Sequence, residues 1–294
     1  MNFSNKKFYI IYKENNNKAE AFANEILAWL KKYQDEPHQC SLIKVVSTEI
    51  IEDHPNAGQV IIEKFHAKSG VNPDFAIILG GDGTILEAAR SFAGTKTCIF
   101  GINFGKVGFL SATEPHNWEA NFIYAIRHPE KIKKCAILKY NIYSGRQKIS
   151  GVAANDLVLG HGTISRLLDF EVKINGYELG PIRSDGLIFF TPLGSSAYNS
   201  SAGGPILLPE LNVFGLTPIC PFMSSLKSLG LSCTTICQIK VSPASSECFI
   251  TVDGRINMAF SHENILEITG WAEALYIWLN EKKYFSQLAF PCLK

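Results

Sequence analysis

Apolar residues follow two different spacings along this 294-residue chain, and the change from one to the other divides it. In the first third, short apolar runs alternate with stretches of helical period. Phe8–Tyr12 reads as a strand. Asn17 then caps a helical pattern, with Glu20 three residues on and Phe22, Ala23, Ile26, Leu27 and Leu30 on one face. Phe75–Leu79 is the next apolar run. Ile85, Ala88, Ala89 and Phe92 come after it at i, i+3, i+4 and i+7, which is one face of a helix. Thr84 and Glu87 stand in the capping-box relation, so Thr84 is the expected N-cap. Cys98–Ile102 reads as a further strand, and the whole has the βαβ rhythm of a parallel sheet.

After a helical stretch near Trp118–Ile126 the period changes. From about residue 135 the segments are short, strand-like and separated by turns. Phe170, Val172 and Ile174 alternate and then meet Asn175-Gly176, a strong hairpin signal, and Cys248–Val252 meets Asp253-Gly254 in the same way. Such strands argue for an antiparallel β domain. The expected fold class is therefore an α/β N-terminal domain, a parallel sheet with helices, followed by a β-rich domain. The first takes residues 1–115 and the second 116–274, with the boundary falling within 112–135. Periodicity leaves open whether the segment of about 275–294, Tyr284–Phe290 included, packs back on the first domain.

Composition narrows the setting. Hydrophobic residues at 46% and charged residues at 19% fit a soluble globular protein with a large core. A net charge of +1 leaves no electrostatic footprint for nucleic acid or an anionic membrane, so neither is an expected partner. No apolar run approaches the roughly 18 residues of a membrane span, and no basic-then-apolar signal peptide opens the chain. The eight cysteines are scattered without a Cys-x-x-Cys pair and read as reduced core residues. The expected location is the cytoplasm.

The candidate chemistry begins where the strand at 75–79 meets the following helix. Gly80-Gly81-Asp82-Gly83-Thr84 forms a glycine turn at a helix N-terminus, where free N–H groups and the positive end of the helix dipole receive an anion. Glycines let backbone approach a ligand closely. A carboxylate in a phosphate cradle repels phosphate, so Asp82 must serve otherwise, by holding a cation or by accepting a proton. A second glycine-rich stretch, Gly101-Ile102-Asn103-Phe104-Gly105-Lys106-Val107-Gly108-Phe109-Leu110, follows the next strand and reads either as a loop lining the same crevice or as an ordinary turn. Asn155-Asp156 is a polar pair inside an apolar strand pattern. Unless it is a bulge or a solvent-facing turn it needs partners, and an amide beside a carboxylate suits ribose hydroxyls, which donate and accept. Between Arg183 and Ile206 an apolar strand empties into Ser, Thr and Gly residues, with Tyr198 offering a ring on which a base can stack. A P-loop and a Gly-x-Ser-x-Gly elbow are missing. Ser224-Ser225-Leu226-Lys227 matches Ser-x-x-Lys without a Lys-Thr-Gly partner, and the seven histidines show no metal-ligand spacing.

Taken together these residues resemble the NAD kinase family. The resemblance covers roughly residues 75–255, through Gly-Gly-Asp-Gly-Thr at 80–84, Gly-x-Asn-x-Gly-x-x-Gly-Phe-Leu at 101–110, Asn155-Asp156, and Ser-Ala-Tyr with Ser-Ala-Gly-Gly-Pro at 196–205. It implies phosphorylation of the 2′-hydroxyl of the adenosine ribose of NAD to give NADP, with ATP or another phosphate donor and a divalent cation, Mg²⁺, on the donor. It also implies homo-oligomers, dimer or tetramer. By the resemblance Asp82 is the catalytic base, in the cradle of Gly80, Gly81, Gly83 and Thr84 with Asn103 and Phe104 beside it. Asn155 and Asp156 hold NAD hydroxyls and amide edges, and Ser196, Ala197, Tyr198 and Ser201 line the dinucleotide pocket. Arg183 and Asp185 match the segment that approaches the nicotinamide end, often across a subunit contact. The chain departs from the family pattern at Ser196, where Thr is usual, at Pro221–Ser228, which lacks a His and an Arg-Pro, and at Arg255, where Gln is common. Two other readings are a lipid or sugar kinase sharing the Gly-Gly-Asp-Gly core, and a non-catalytic NAD(H)-binding sensor.

Overall fold

The computed structural model describes residues 6–13, 16–32, 40–45 (backbone only), 72–105, 108–161, 167–223, 226–245 and 248–289. Lys106 and Val107 of the second glycine loop, Ser224 and Ser225, and the chain from Phe290 on lie outside the described residues. In chain order the first elements are β1 (Phe8–Lys13), α1 (Asn17–Lys31), β2 (Cys40–Val45), β3 (Phe75–Gly80), α2 (Asp82–Ser91), β4 (Cys98–Asn103) and α3 (Trp118–Arg127). Strands β5 (Lys133–Ser144), β6 (Gln147–Ala153), β7 (Asp156–His161), β8 (Leu168–Ile174), β9 (Tyr177–Ser184) and β10 (Gly186–Phe190) follow. Next come one helical turn, α4 (Tyr198–Ser201), then β11 (Val213–Ile219), β12 (Leu229–Ser232) and β13 (Ile236–Val241). The chain closes with β14 (Cys248–Val252), β15 (Ile256–Phe260), β16 (Asn264–Ile277) and α5 (Glu281–Ala289). The described chain divides into two compact units, one from the residues before Cys135 together with those from Leu275 on, the other from Cys135–Ala274.

In the first unit the strands lie in the order β2-β1-β3-β4, all parallel, and Tyr276 and Ile277 of β16 add parallel to β4. Strand β3 is buried along its whole length, as befits a parallel strand covered on both faces. Helix α1 starts one residue earlier than its pattern implied. The cap is Asn16, whose side-chain oxygen accepts from the Ala19 N–H at 3.1 Å, and Asn17 is the first helical residue. Helix α2 also begins earlier. Gly81 is its N-cap, with no side-chain cap bond, so the expectation that Thr84 caps it is overturned. The physical reason is that the Gly81 carbonyl already accepts from the N–H groups of Thr84 and Ile85, at 2.9 and 3.2 Å. The core between helices and sheet is aromatic. The Phe122 ring of α3 lies 5.0–6.4 Å, centroid to centroid, from Phe8, Trp29, Phe75, Phe100 and Trp118.

The second unit is antiparallel. One sheet runs β12-β11-β10-β7-β14-β15, and in the other β13 stands between β16 and β8, with β9 outside β8. Strands β5 and β6 pair as a hairpin. Alternating side chains, among them Leu157, Leu159, Phe170, Val172, Phe189, Ile239, Ile250 and Ile268, form the buried core. Both expected hairpin turns form, Asn175-Gly176 at φ 50° and 83° and Asp253-Gly254 at φ 47° and 67°. That left-handed pair of residues is what the right-handed twist of two strands joined by a tight turn requires. The α/β and β-rich parts have the expected fold class. Among the described residues six cysteines are free, and no helix is long and apolar enough to cross a membrane.

Because Phe122 is fully buried at the centre of its cluster, Phe122→Ala leaves a cavity in the first unit. It should cost about 3–5 kcal/mol of stability, read by denaturant unfolding. A loss below about 1 kcal/mol would show that the ring is not packed as described.

Candidate active site

Strands β3 and β4 are parallel neighbours with Gly80 opposite Asn103, so both glycine loops leave the same carboxyl edge of the sheet. Open parallel sheets bind ligands at that edge. Gly80 is the last residue of β3, and a Cβ there would sit 2.6 Å from the Thr84 hydroxyl. Thr84 is therefore tucked, almost fully buried, beneath the strand end. Gly81 differs: an added Cβ would meet no heavy atom of the described residues within 4 Å. The N–H groups of Asp82 and Gly83, the first two helical residues, have no acceptor within the helix.

Asp82 opens α2, and both its oxygens are held by the second loop. Oδ2 accepts from the Phe109 N–H at 2.8 Å and Oδ1 from the Leu110 N–H at 3.1 Å. Burial nevertheless raises its pKa above the ordinary aspartate value, against the lowering effect of those two N–H groups and of the Lys283 charge. The turn is so close that a Cβ on Gly108 would stand 3.1 Å from Asp82 Oδ1. On the same loop Asn103 Oδ1 accepts from the Gly105 N–H at 2.9 Å, and the Phe104 N–H bonds the Gly80 carbonyl at 3.2 Å. The Phe104 ring turns inward and packs on Phe22, 5.4 Å away.

In the second unit Ala154 and Asn155 form a bend between β6 and β7 rather than lying inside a strand. The bend is held from across the hairpin turn. Asp253 takes the N–H groups of Ala154, Asn155 and Asp156 at 3.1, 2.7 and 3.1 Å, while its own N–H bonds the Asp156 carbonyl at 2.9 Å. Asn155 Oδ1 is buried without a hydrogen-bond partner among the described residues, an acceptor awaiting a donor. The Asp156 carboxyl is pushed up to about 7, first by burial and then by the neighbouring Asp253 charge. The Thr191 N–H meets the Asn155 carbonyl at 2.9 Å, and a Cβ on Gly194 would lie only 2.1 Å from that oxygen. The Asn155 bend thus adjoins the 193–201 segment, where Ser196 and Ala197 are half-buried and Ser201 and Tyr198 exposed, the tyrosine to 47%.

Arg183 and Asp185 are not part of this group. They precede β10, whereas Asn155 and the 193–201 segment stand at its far end, roughly 14 Å away at about 3.4 Å per residue. Arg183 pairs with Asp169 at 3.6 Å and lies over the Phe222 ring, and Asp185 faces His161 at 3.8 Å. Two supporting residues escape a reading of the sequence. Asn199 is fully buried; its Nδ2 donates to the Ser195 and Pro205 carbonyls at 3.0 Å each, and its Oδ1 accepts from the Thr217 hydroxyl at 2.7 Å. Asp253 is the other. An asparagine beside Tyr198 and an aspartate in a hairpin turn are the signals, but neither names its partners, which stand 4 to 18 residues from Asn199 and 97 to 99 from Asp253.

The first unit thus carries a carboxylate on a helix N-terminus beside two glycine loops, and the second carries small hydroxyl residues with one exposed tyrosine next to the Asn155 bend. The family model for the ATP-NAD kinase N-terminal domain matches residues 8–123, and that for the ATP-NAD kinase C-terminal domain matches residues 154–277. The chain belongs to the NAD kinase family. An NAD kinase from Lawsonia intracellularis is 34% identical over 274 residues, 93% of this chain and 90% of its own length. The fold is similar to that of yeast NADH kinase complexed with NADH, at a TM-score of 0.77 and 22% identity over 98% of this chain and 89% of the other. It is similar also to an NAD kinase from Archaeoglobus fulgidus in complex with ATP, at a TM-score of 0.67 and 23% identity over 96% and 97%. This member of the NAD kinase family carries a half-buried aspartate, Asp82, at the sheet edge of its first unit and a buried one, Asp156, in its β-rich unit.

The raised value for Asp156 carries a stability consequence. Its folded pKa exceeds the unfolded one near 3.9, so its contribution is fully present below about pH 4 and is lost as pH rises toward about 7. Asp156→Asn should flatten that slope, gaining melting temperature relative to the parent at pH 8 and little at pH 4.5. Parallel melting curves for both proteins across that range would count against a proton held at Asp156.

Proposed function

We propose that the chain transfers a phosphoryl group from ATP, or from another phosphate donor, to the 2′-hydroxyl of the adenosine ribose of NAD, with Asp82 as the general base. The hydroxyl oxygen forms the new bond to phosphorus, the bond from that phosphorus to the leaving phosphate breaks, and the hydroxyl proton passes to Asp82. The observation that carries this reading is the state of that carboxyl: half-buried at a helix N-terminus, fixed by two N–H groups, and raised in basicity. A carboxylate kept only to repel phosphate would have no use there.

In this reading residues 1–115 handle the donor and the proton, and 116–274 the dinucleotide. The Gly80, Gly81 and Gly83 backbone and the free end of α2 receive the donor phosphates, with Thr84 bracing the strand end and Asn103 and Phe104 shaping the neighbouring loop. The unpartnered Asn155 oxygen and the Asp156 carboxyl suit ribose hydroxyls. Ser196, Ala197 and Ser201 border the base, and Tyr198 gives it a face to stack on. A divalent cation, Mg²⁺ with ATP, would arrive on the donor phosphates, as the family resemblance implies. Bound there, it neutralises charge on the transferring group.

Incubation with NAD, a donor and Mg²⁺ should yield NADP, and failure with every donor tried would sink the proposal. Asp82→Asn should lower turnover by about 10²–10⁴-fold while leaving thermal stabilisation by NAD intact. Tyr198→Ala should do the reverse, weakening NAD stabilisation with a smaller effect on turnover. Turnover of Asp82→Asn near the parent rate would remove Asp82 from the role of base.

Arg183 and Asp185 stand at the wrong end of β10 to join the Asn155 group of their own chain. We infer that they serve a dinucleotide held by a second copy, in a dimer or tetramer. Light scattering should then report a mass at least twice that of the chain, and a strictly monomeric active protein would exclude the role.

A further inference from the structure

The helix α5 reaches back to the turn that holds Asp82, and it does so with two side chains. Lys283 Nζ donates to the Ser111 hydroxyl at 2.9 Å, and Gln287 Nε2 donates to the Gly108 carbonyl at 3.1 Å. Ser111 in turn donates to that same carbonyl at 3.3 Å. Gly108 and Ser111 flank Phe109 and Leu110, whose N–H groups bind the Asp82 carboxylate. The helix is itself fixed. Asn280 caps it, its Oδ1 accepting from the Lys283 N–H at 3.1 Å, and Tyr284 is buried. Lys283 also pairs with Glu114 at 3.6 Å, and its side chain is only 20% exposed, so its charge is poorly screened by solvent.

We propose that Lys283 is a positioning residue for Asp82: it anchors the Gly108–Ser111 turn and supplies a positive charge that favours the ionised form of the half-buried carboxylate. The proposal rests on the reading of Asp82 as the base. Among the described residues the charged groups on the surrounding elements are Glu87 and Arg90 along α2, Glu114 beyond the turn, and Glu281, Lys282 and Lys283 on α5. Of these, Lys283 is the one whose charge acts on Asp82, and it acts to hold the proton off. A neutral side chain at 283 therefore leaves Asp82 protonated to higher pH, and a protonated carboxyl cannot take the hydroxyl proton.

Lys283→Gln should move the acid limb of the kcat–pH profile to higher pH, with most activity lost on the acid side and recovered at alkaline pH. Lys283→Arg keeps the charge and should keep the limb in its original place, even where kcat falls. Ser111→Ala cuts the contact but not the charge, so it should lower kcat with a smaller movement of the limb. A merely structural lysine predicts a uniform loss at all pH values in Lys283→Gln, and that result would overturn the proposal. Titration of the ¹³C-labelled Asp82 carboxyl by NMR gives an independent reading. It should show a higher pKa in Lys283→Gln than in the parent, and an unchanged pKa would likewise overturn it. Parent protein that makes no NADP defeats the reading of the base alone, and the carboxyl titration still decides whether Lys283 acts on Asp82. Should Lys283→Gln not fold, the Lys283→Arg and Ser111→Ala profiles make the same contrast: limbs displaced equally from the parent's would defeat the proposal.

Discussion

A carboxylate taken out of water must be met by donors, and in each unit of this protein that need is met by backbone N–H groups of a loop far away in the chain. Asp82 is met by Phe109 and Leu110, and Asp253 by Ala154, Asn155 and Asp156. An unpaired buried charge is far too costly to keep, so each loop is pinned as firmly as the charge is buried. Such charge-assisted bonds contribute about twice a neutral hydrogen bond. The loops that carry the candidate chemistry are thereby fixed by the fold, before any ligand is present.

The two carboxylates do different things with the same device. Asp253 presents a single oxygen to two N–H groups and the second to a third, which makes it a clamp on the bend that displays Asn155 and Asp156. Asp82 takes one N–H on each oxygen, and burial still outweighs those bonds and Lys283 in setting its proton affinity. The outcome is a carboxyl that is rigidly oriented yet more basic than a solvent-exposed one. Rigid orientation matters in phosphoryl transfer, where placement and charge neutralisation supply most of the rate. Asn199 does for the 195–205 segment, with neutral bonds, what Asp253 does for the 154–156 bend.

Local chemistry was legible in the sequence, and long-range support was not. The strand, glycine turn and helix around Asp82 could be read from residues 75–92 because period and turn residues are local signals. The hairpins at Asn175-Gly176 and Asp253-Gly254 were legible for the same reason: a left-handed pair of residues needs that composition. Thr84 was misread as a cap because the capping-box spacing is blind to which carbonyl opens the helix. In the fold its hydroxyl fills the space beneath Gly80 instead. Asn199 gave only the faint signal of a polar residue in a polar run, and Lys283, one lysine among many, gave none. Their partners stand 4 to 18 and 172 residues away respectively, and only the folded chain brings them together.

The glycines separate what the chain needs for itself from what it needs for a ligand. Gly80 and Gly194 are required by the protein's own packing, since a Cβ would collide with Thr84 at one and with the Asn155 carbonyl at the other. Gly81 has no such reason. Its φ of −91° suits any residue, and a Cβ there would meet none of the described residues within 4 Å. Alanine or serine at that cap would cost the fold little, and serine would even cap the helix. Among the described residues nothing demands glycine at this position, whereas the proposed function does. Open backbone at a helix N-terminus, one residue before Asp82, is where a phosphate could come closest to the N–H groups and to the proposed base at once.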